Sequence, residues 1–516
     1  MITRIGRAAN GLANAALAKE CGMTMRERRL GICFALCALA GCGDGSESLA
    51  QAPRSKLVVA AAAEQESAAK AESAEDLPAD LWTRKRGVDW PAFLGPSGDG
   101  KSPETGILTK WPKAGPRIVW QRELGTGYDL GSISRGRLFQ FDRFGDQSRV
   151  YAVNAETGEE LWRHEHPTKY EDLYGYNNGP RCAPIVDGGR VYAYGVDGVL
   201  VCLQAADGKL VWKVDTQQGF GVIQNFFGVG STPVIQGDLL LVMVGGSPAE
   251  SQKLAPGQLD RVVGNGSGIV AFNKFTGQVA YQLTDELASY ASLKSATIAG
   301  RPWCFAFCRE GLVGFDPLQG KVDFQFPWRA KSLESVNASM PVVVGNEVFI
   351  SETYGPGSAL LEVGPGRHRV VWQDDLRKRD KAMQTHWNTP VYHDGYLYGC
   401  SGRHTENAEL RCIEWKTGKV MWTVPGLTRT SLTYIDGHFL CLGEYGSLTL
   451  FAANPKKYEL VAEAEMIKPV VGPVAEGFGK SRALLKYPCW GAPVVSHGLL
   501  YVRGDDRLVC LDLIPE

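Results

Sequence analysis

Six residues stand where a binding chemistry would need them. Arg181, Trp387 and Trp490 each precede by three residues a proline that opens an apolar strand, at Pro184, Pro390 and Pro493. Lys294, Asn337 and Arg429 take the equivalent place ahead of less regular strands. Side chains at one phase of a repeat face one opening, so these would converge there as cations, indoles and an amide. Charge pairing and ring stacking would then suit a planar, anionic ligand. The same residues have a plainer use, which is packing between repeats or meeting water and passing peptide.

Other catalytic schemes find less support. Of the eight histidines, only His386, beside Trp387, falls at the proposed opening. The sequence contains no Gly-x-Ser-x-Gly elbow, His-Glu-x-x-His helix or phosphate loop. Nor does any Cys-x-x-Cys occur, which removes the zinc and redox readings of the 13 cysteines. Cys304 and Cys308 look like metal ligands on paper, but i and i+4 on a strand lie about 13 Å apart. Cys400 and Cys412 flank one hairpin and could pair. Lys and Arg total 55 against 56 Asp and Glu, so no basic footprint for nucleic acid is apparent.

The elements that would position these residues are written in a repeat. Asn154-Ala-Glu-Thr-Gly158-Glu-Glu-Leu-Trp162 returns at Asp207–Trp212 and Lys416–Trp422, and more weakly at Phe275–Tyr281 and Leu318–Phe324. In each copy an aromatic follows the turn glycine by four residues, and Ala152, Cys202, Ala271, Gly314 or Cys412 precedes it by six. Around these lie short apolar strands punctuated by Asp-Gly turns, as in Ala183–Tyr192 and Thr389–Tyr398. Such strands form antiparallel meanders, and four of them make a propeller blade.

Blades are expected to end at Trp162, Trp212, Tyr281, Phe324, Trp372, Trp422 and near Ala464. An insertion is expected in the third, around Ser247–Asn265. An eighth unit, from Trp490 to Cys510, lacks its aromatic strand. Far upstream, the segment around Trp120 is an aromatic strand without its three partners. Joining the two predicts an all-β, eight-bladed β-propeller of four-stranded antiparallel blades, closed by the N-terminal strand near Trp120 and free of open edges. Seven blades remain the alternative if the degenerate seventh unit is an insertion.

The N-terminal region divides further. Arg26–Arg29 precedes an apolar run, Leu30 to Ala40, ending in Leu39-Ala40-Gly41-Cys42. The run suits a signal-peptide core and is too short for a spanning helix. Residues 1–42 are therefore expected to be a leader, with initiation at Met1, Met23 or Met25. Its last four residues resemble the bacterial lipobox, which implies lipidation of Cys42. Residues 43–80 are Ala-, Glu- and Ser-rich and are expected to form a flexible tether. Residues 81–116 form an entry segment, and 117–516 the propeller.

The phrase (Ala/Asn)-x-(Asp/Glu)-Thr-Gly-(Lys/Glu)-x-(Leu/Val)-Trp resembles the repeat of the pyrroloquinoline-quinone-type β-propeller superfamily. The resemblance runs from about Trp90 to Glu516 and includes Asp89–Pro96. This superfamily holds quinone-dependent dehydrogenases beside non-catalytic envelope lipoproteins such as the propeller subunit of the barrel-assembly machine. A dehydrogenase would carry the quinone with Ca²⁺, held by oxygen ligands, for which Glu352, Asn337, Glu444 and Asp142 are the candidates; their spacing singles none of them out. No adjacent cysteine pair and no Cys-x-x-Cys-His haem motif are present. The resemblance thus implies a non-catalytic scaffold for envelope proteins or extended peptides. It would be exported, anchored in the membrane through lipid, and facing the periplasm, with inner and outer membrane both open. An alcohol or sugar dehydrogenase is the alternative, and a small-molecule or polysaccharide sensor a third possibility.

Overall fold

The repeated phrase folds as one hairpin of fixed register. In a computed structural model, which describes residues 77–223, 226–333, 335–465 and 484–516, the aromatic faces the small residue across the hairpin's two strands. The pairs are Trp162 with Ala152, Trp212 with Cys202, Tyr281 with Ala271, Phe324 with Gly314 and Trp422 with Cys412. A small partner leaves room for the ring. At Gly314 even a methyl group would lie 2.4 Å from Phe324 Cε1.

The ring then reaches the next sheet. Trp120, Trp162, Trp212, Tyr281 and Trp372 lie against the turn glycines Gly158, Gly208, Gly277, Gly320 and Gly418 of the following blade. The indole N–H groups of Trp120, Trp162, Trp212 and Trp372 donate to the carbonyls of Ala155, Ala205, Lys274 and Trp415 at 2.8–3.0 Å. The Tyr281 hydroxyl donates likewise to the Pro317 carbonyl at 2.5 Å. Each acceptor stands three residues before its glycine. The phrase therefore joins blades, and burying each ring contributes on the order of 2–3 kcal/mol.

Eight antiparallel sheets result. The first comprises Ser132–Ser134, Arg137–Phe144, Gln147–Asn154 and Glu160–Pro167. Six more follow at 185–215, 234–283, 294–327, 342–373, 391–425 and 430–465. The last combines Val494–Ser496, Leu499–Arg503 and Arg507–Asp512 with Ile118–Glu123 from far upstream, where Trp120 faces Cys510. Apolar clusters join every sheet to the next, including the last sheet to the first. Eight interfaces for eight sheets describe a closed ring. The seventh unit is a full blade, with Asn454 accepting the Trp422 indole N–H at 2.9 Å. The insertion in the third carries two short 3₁₀ turns, Ser251–Lys253 and Pro256–Arg261.

Residues 77–116 cross the face that carries the turns between first and second strands. Lys101–Ser102 pairs in parallel with the first strand of blade seven. Trp90 bridges Ile133 in blade one, and the Pro91 carbonyl accepts from Val186 N in blade two. Glu104 accepts from Val88 N and from His497 N and Gly498 N in blade eight at 2.7–3.0 Å. The leader, Cys42 and the tether as far as residue 76 lie outside the described residues.

All nine cysteines of the described residues are buried and unbridged. Cys400 and Cys412 do not pair, because Cys412 stands opposite Tyr398 while Cys400 stands opposite Leu410.

Candidate functional site

The segments that lead into the first strands gather around the central channel, where they enclose a cavity of about 870 Å³. Arg181, Trp387, Arg429 and Trp490 all line it. Phe93 and Leu94 of the entry segment line it too. That loop is anchored from above: Lys294 Nζ donates to the carbonyls of Ser97 at 2.8 Å and Gly98 at 2.6 Å. Burial pushes the Lys294 ammonium down to about 8, with Asp99 opposing the shift.

Along one wall the aromatic rings lie on each other. Trp387 and Trp490 have ring centroids 4.4 Å apart, and Tyr128 lies 4.6 Å from Trp490. The Arg429 guanidinium packs against both indoles, 4.4 Å from Trp387 and 5.4 Å from Trp490. Arg181 caps Tyr128 at 5.2 Å.

These cations are internally neutralised. Arg181 Nη2 meets Asp172 at 2.6 Å, and Arg429 holds Glu444 through Nε at 2.9 Å and Nη2 at 2.6 Å. Burial opposes ionisation of Glu444, yet the Arg429 hydrogen bonds and charge outweigh it and hold the carboxyl below its usual range. His386 contacts the Tyr354 hydroxyl through Nε2 at 3.3 Å. Burial, helped by Arg429 and Arg403, pushes its imidazole down to about 3, so it is neutral. Beside it, burial raises the Glu352 carboxyl to about 7.

Lys294 and Asn337 stand outside the cavity lining. The Asn337 amide donates to the Cys308 carbonyl at 2.7 Å and braces blade four against blade five. Tyr128, Asp129, Tyr174, Tyr176, Arg403 and His404 line the cavity without having been singled out in the sequence. For Tyr174 and Tyr176 a signal existed, namely the dense run Tyr170-Glu-Asp-Leu-Tyr-Gly-Tyr176 between two blades.

The residues on which a quinone with calcium would call are engaged with partners of their own. The two mouth arginines already hold carboxylates, and Lys294 is spent on the entry loop. The four oxygen candidates do not converge. Glu444 holds Arg429, Asp142 holds Arg149, Glu352 accepts from Ser335 and Tyr354 N, and Asn337 sits between blades. Among the described residues no group of three or more His, Cys, Asp and Glu side chains is placed to hold a metal ion.

A closed ring of riveted blades around an aromatic channel defines a propeller of the pyrroloquinoline-quinone type. The sequence matches the profile of the family described as outer membrane protein assembly factor BamB over residues 108–261 and 146–424, and the chain belongs to this family. Among solved structures it is similar to BamB from Moraxella catarrhalis, with a TM-score of 0.51 and 12% identity over 78% of this chain and 98% of that one. It is also similar to the quinohemoprotein alcohol dehydrogenase from Comamonas testosteroni, with a TM-score of 0.45 and 13% identity over 83% of this chain and 82% of that one. No curated protein sequence matches it.

Proposed function

We propose that the chain is an envelope-localised propeller lipoprotein that binds proteins or extended peptides and catalyses no reaction itself. The observation that carries this is the rim of the mouth. Tyr174 and Tyr176 stack there at 5.9 Å while 48% and 69% exposed, and Tyr445 and Tyr487 stack at 5.0 Å while 54% and 42% exposed. Rings left in water on a rigid ring of blades mark a docking surface, since soluble proteins otherwise bury such area. Membership of a family named for outer-membrane protein assembly supports a protein partner and an envelope location. Lipid on Cys42 would supply the anchor.

The test is a pull-down from solubilised envelope. The intact protein should capture a partner that the double variant Tyr176→Ser/Tyr445→Ser captures at least tenfold less well. Equal capture by both, or none by either, would overturn the docking role. Cys42→Ala should move the protein from the membrane to the soluble fraction, and continued membrane fractionation would remove the lipid anchor. Dye-linked alcohol oxidation after incubation with the quinone and Ca²⁺ would restore the dehydrogenase alternative.

A further inference from the structure

The channel mouth is electropositive, although the chain as a whole carries a formal net charge of −1. Arg181, Arg403, His404 and Arg429 line the cavity. The carboxylates that balance two of them, Asp172 and Glu444, are wholly buried and lie outside the lining. Each ion pair thus turns its guanidinium to the cavity and its carboxylate away. Arg403 has no such balance. It is exposed, stands 4.3 Å over the Tyr354 ring, and forms no ion pair among the described residues. Its charge acts on Glu352, whose carboxyl burial raises to about 7, while Glu406 in its own loop is exposed and outside the lining. Asp129 is the one acidic residue of the lining among the described residues. Burial pushes its carboxyl well above the usual range, against the charge of Arg503, so it brings no compensating anion.

Charge is half of the mouth's character. Beside the cations, Tyr128, Trp387 and Trp490 form one aromatic wall. The cavity of about 870 Å³ has room for an aromatic side chain together with the backbone on either side of it. Protein interfaces divide their work in this way: a ring buried in a pocket supplies affinity, and charges at the margin supply selection and a faster encounter. The occupant must therefore carry negative charge next to an apolar or aromatic group. An acidic stretch of polypeptide carries both. An acidic polysaccharide carries the charge without an aromatic group.

We propose that the channel mouth takes an acidic segment of a partner protein, with an aromatic side chain against the Trp387–Trp490 wall and a carboxylate on Arg403. This rests on the protein-docking reading and deepens it, adding the sign of the partner's charge and the residue that reads it.

Fluorescence anisotropy of labelled peptides with the purified full-length protein tests it. The probes are pentapeptides capped at both ends, with a central tryptophan flanked by glutamates, by glutamines or by lysines, and the glutamate peptide with alanine at its centre. Unlabelled tetragalacturonate serves as a competitor. The glutamate–tryptophan peptide should bind saturably, at least tenfold more tightly than the other three, and added salt should weaken it. Arg403→Gln should reduce its affinity about three- to fivefold, the worth of one partly exposed ion pair, and narrow its lead over the glutamine peptide by the same factor. Arg369→Gln removes an equal charge from the fourth strand of blade five, outside the cavity lining, and should change nothing. Arg403 is exposed, and thermal unfolding should show its variant folded like the intact protein. Four results would overturn the proposal: no peptide binds, the glutamine or lysine peptide binds as tightly as the glutamate one, tetragalacturonate binds more tightly than any peptide, or Arg403→Gln keeps the full preference. If the envelope pull-down still captures a partner, any of these removes the acidic segment alone and leaves the docking role in place. Loss of the pull-down result removes the docking role itself.

Discussion

Gly208 shows how much one atom decides in this array. Its φ of +73° lies in the left-handed region, and a Cβ there would sit 2.4 Å from Cε3 of Trp162 in the preceding blade. Gly237 has a similar φ of +61°, but its Cβ would meet nothing nearer than Leu318 Cδ2 at 3.8 Å. Alanine at either position costs about 1 kcal/mol for the backbone alone. Only Gly208→Ala also displaces an indole from its carbonyl, for a total of about 3 kcal/mol or more. Urea unfolding of the two variants should separate them clearly, and equal losses would mean that the Trp162 contact stabilises nothing. The residue scale also explains why the sequence located some mouth residues and missed others. Arg181, Trp387 and Trp490 each precede a first strand by four residues, behind a proline that makes the phase visible. Lys294 is itself the first residue of its strand, with no proline to mark it, and its side chain turns to the entry loop instead.

At the scale of elements, the entry segment carries more than its sequence conveys. Arg84 reaches Asp512 at 2.7 Å, and Arg117 at the closing strand reaches the other oxygen of the same carboxylate at 2.7 Å. Burial raises the affinity of Asp512 for protons, but the hydrogen bonds from Arg117 and Arg84 outweigh it, so the native carboxyl titrates below its unfolded value. A depressed native pKa gives stability that is present above the unfolded pKa, near 4, and is lost as pH falls through the lower native value. Asp512→Asn should therefore cost about 1–3 kcal/mol at pH 7 and much less at pH 3. Thermal unfolding at both values checks this, and an equal cost at each pH would show that the ion pairs do not tie entry segment to blade. The Asp89–Pro96 motif was legible as an appendage. That its Phe93 and Leu94 would line the channel was not, because the segment is held there by contacts with blades far downstream, such as Lys294 on Ser97 and Gly98.

The whole molecule is governed by closure. The strand Ile118–Glu123 covers the edge of Arg507–Asp512 and sets Trp120 on Gly158 in the first blade. A chain lacking residues before Gly125 would leave that ladder unpaired and an apolar interface open, the condition that promotes edge-to-edge association. Light scattering should show such a chain as oligomers or aggregates. A monomer with an unchanged melting temperature would mean that the ring holds without its clasp. Closure also creates the cavity, since the channel exists only when eight inner strands are held around one axis.

The sequence by itself determined the four-stranded blade and its blade-packing aromatic, because these rest on local spacings of four and six residues that a strand and a tight turn translate directly into geometry. It favoured eight blades and left seven open until the structure showed the seventh unit to be a full blade. It also located four of the mouth residues. Only the tertiary structure decided what those residues do. Asp172 and Glu444 neutralise Arg181 and Arg429, Trp387 and Trp490 pack together, and Phe93 and Leu94 line the channel. The ion pairs are local, one within the connection that follows blade one and the other within blade seven, whereas the ring pair joins the connections ahead of blades six and eight. Apart from that ring pair's shared phase, no repeat phase carries them. A repeat encodes how each blade meets the next, whereas the charge balance of the channel is set by irregular loops outside the repeated phrase, and the cavity they line forms only once the ring has closed.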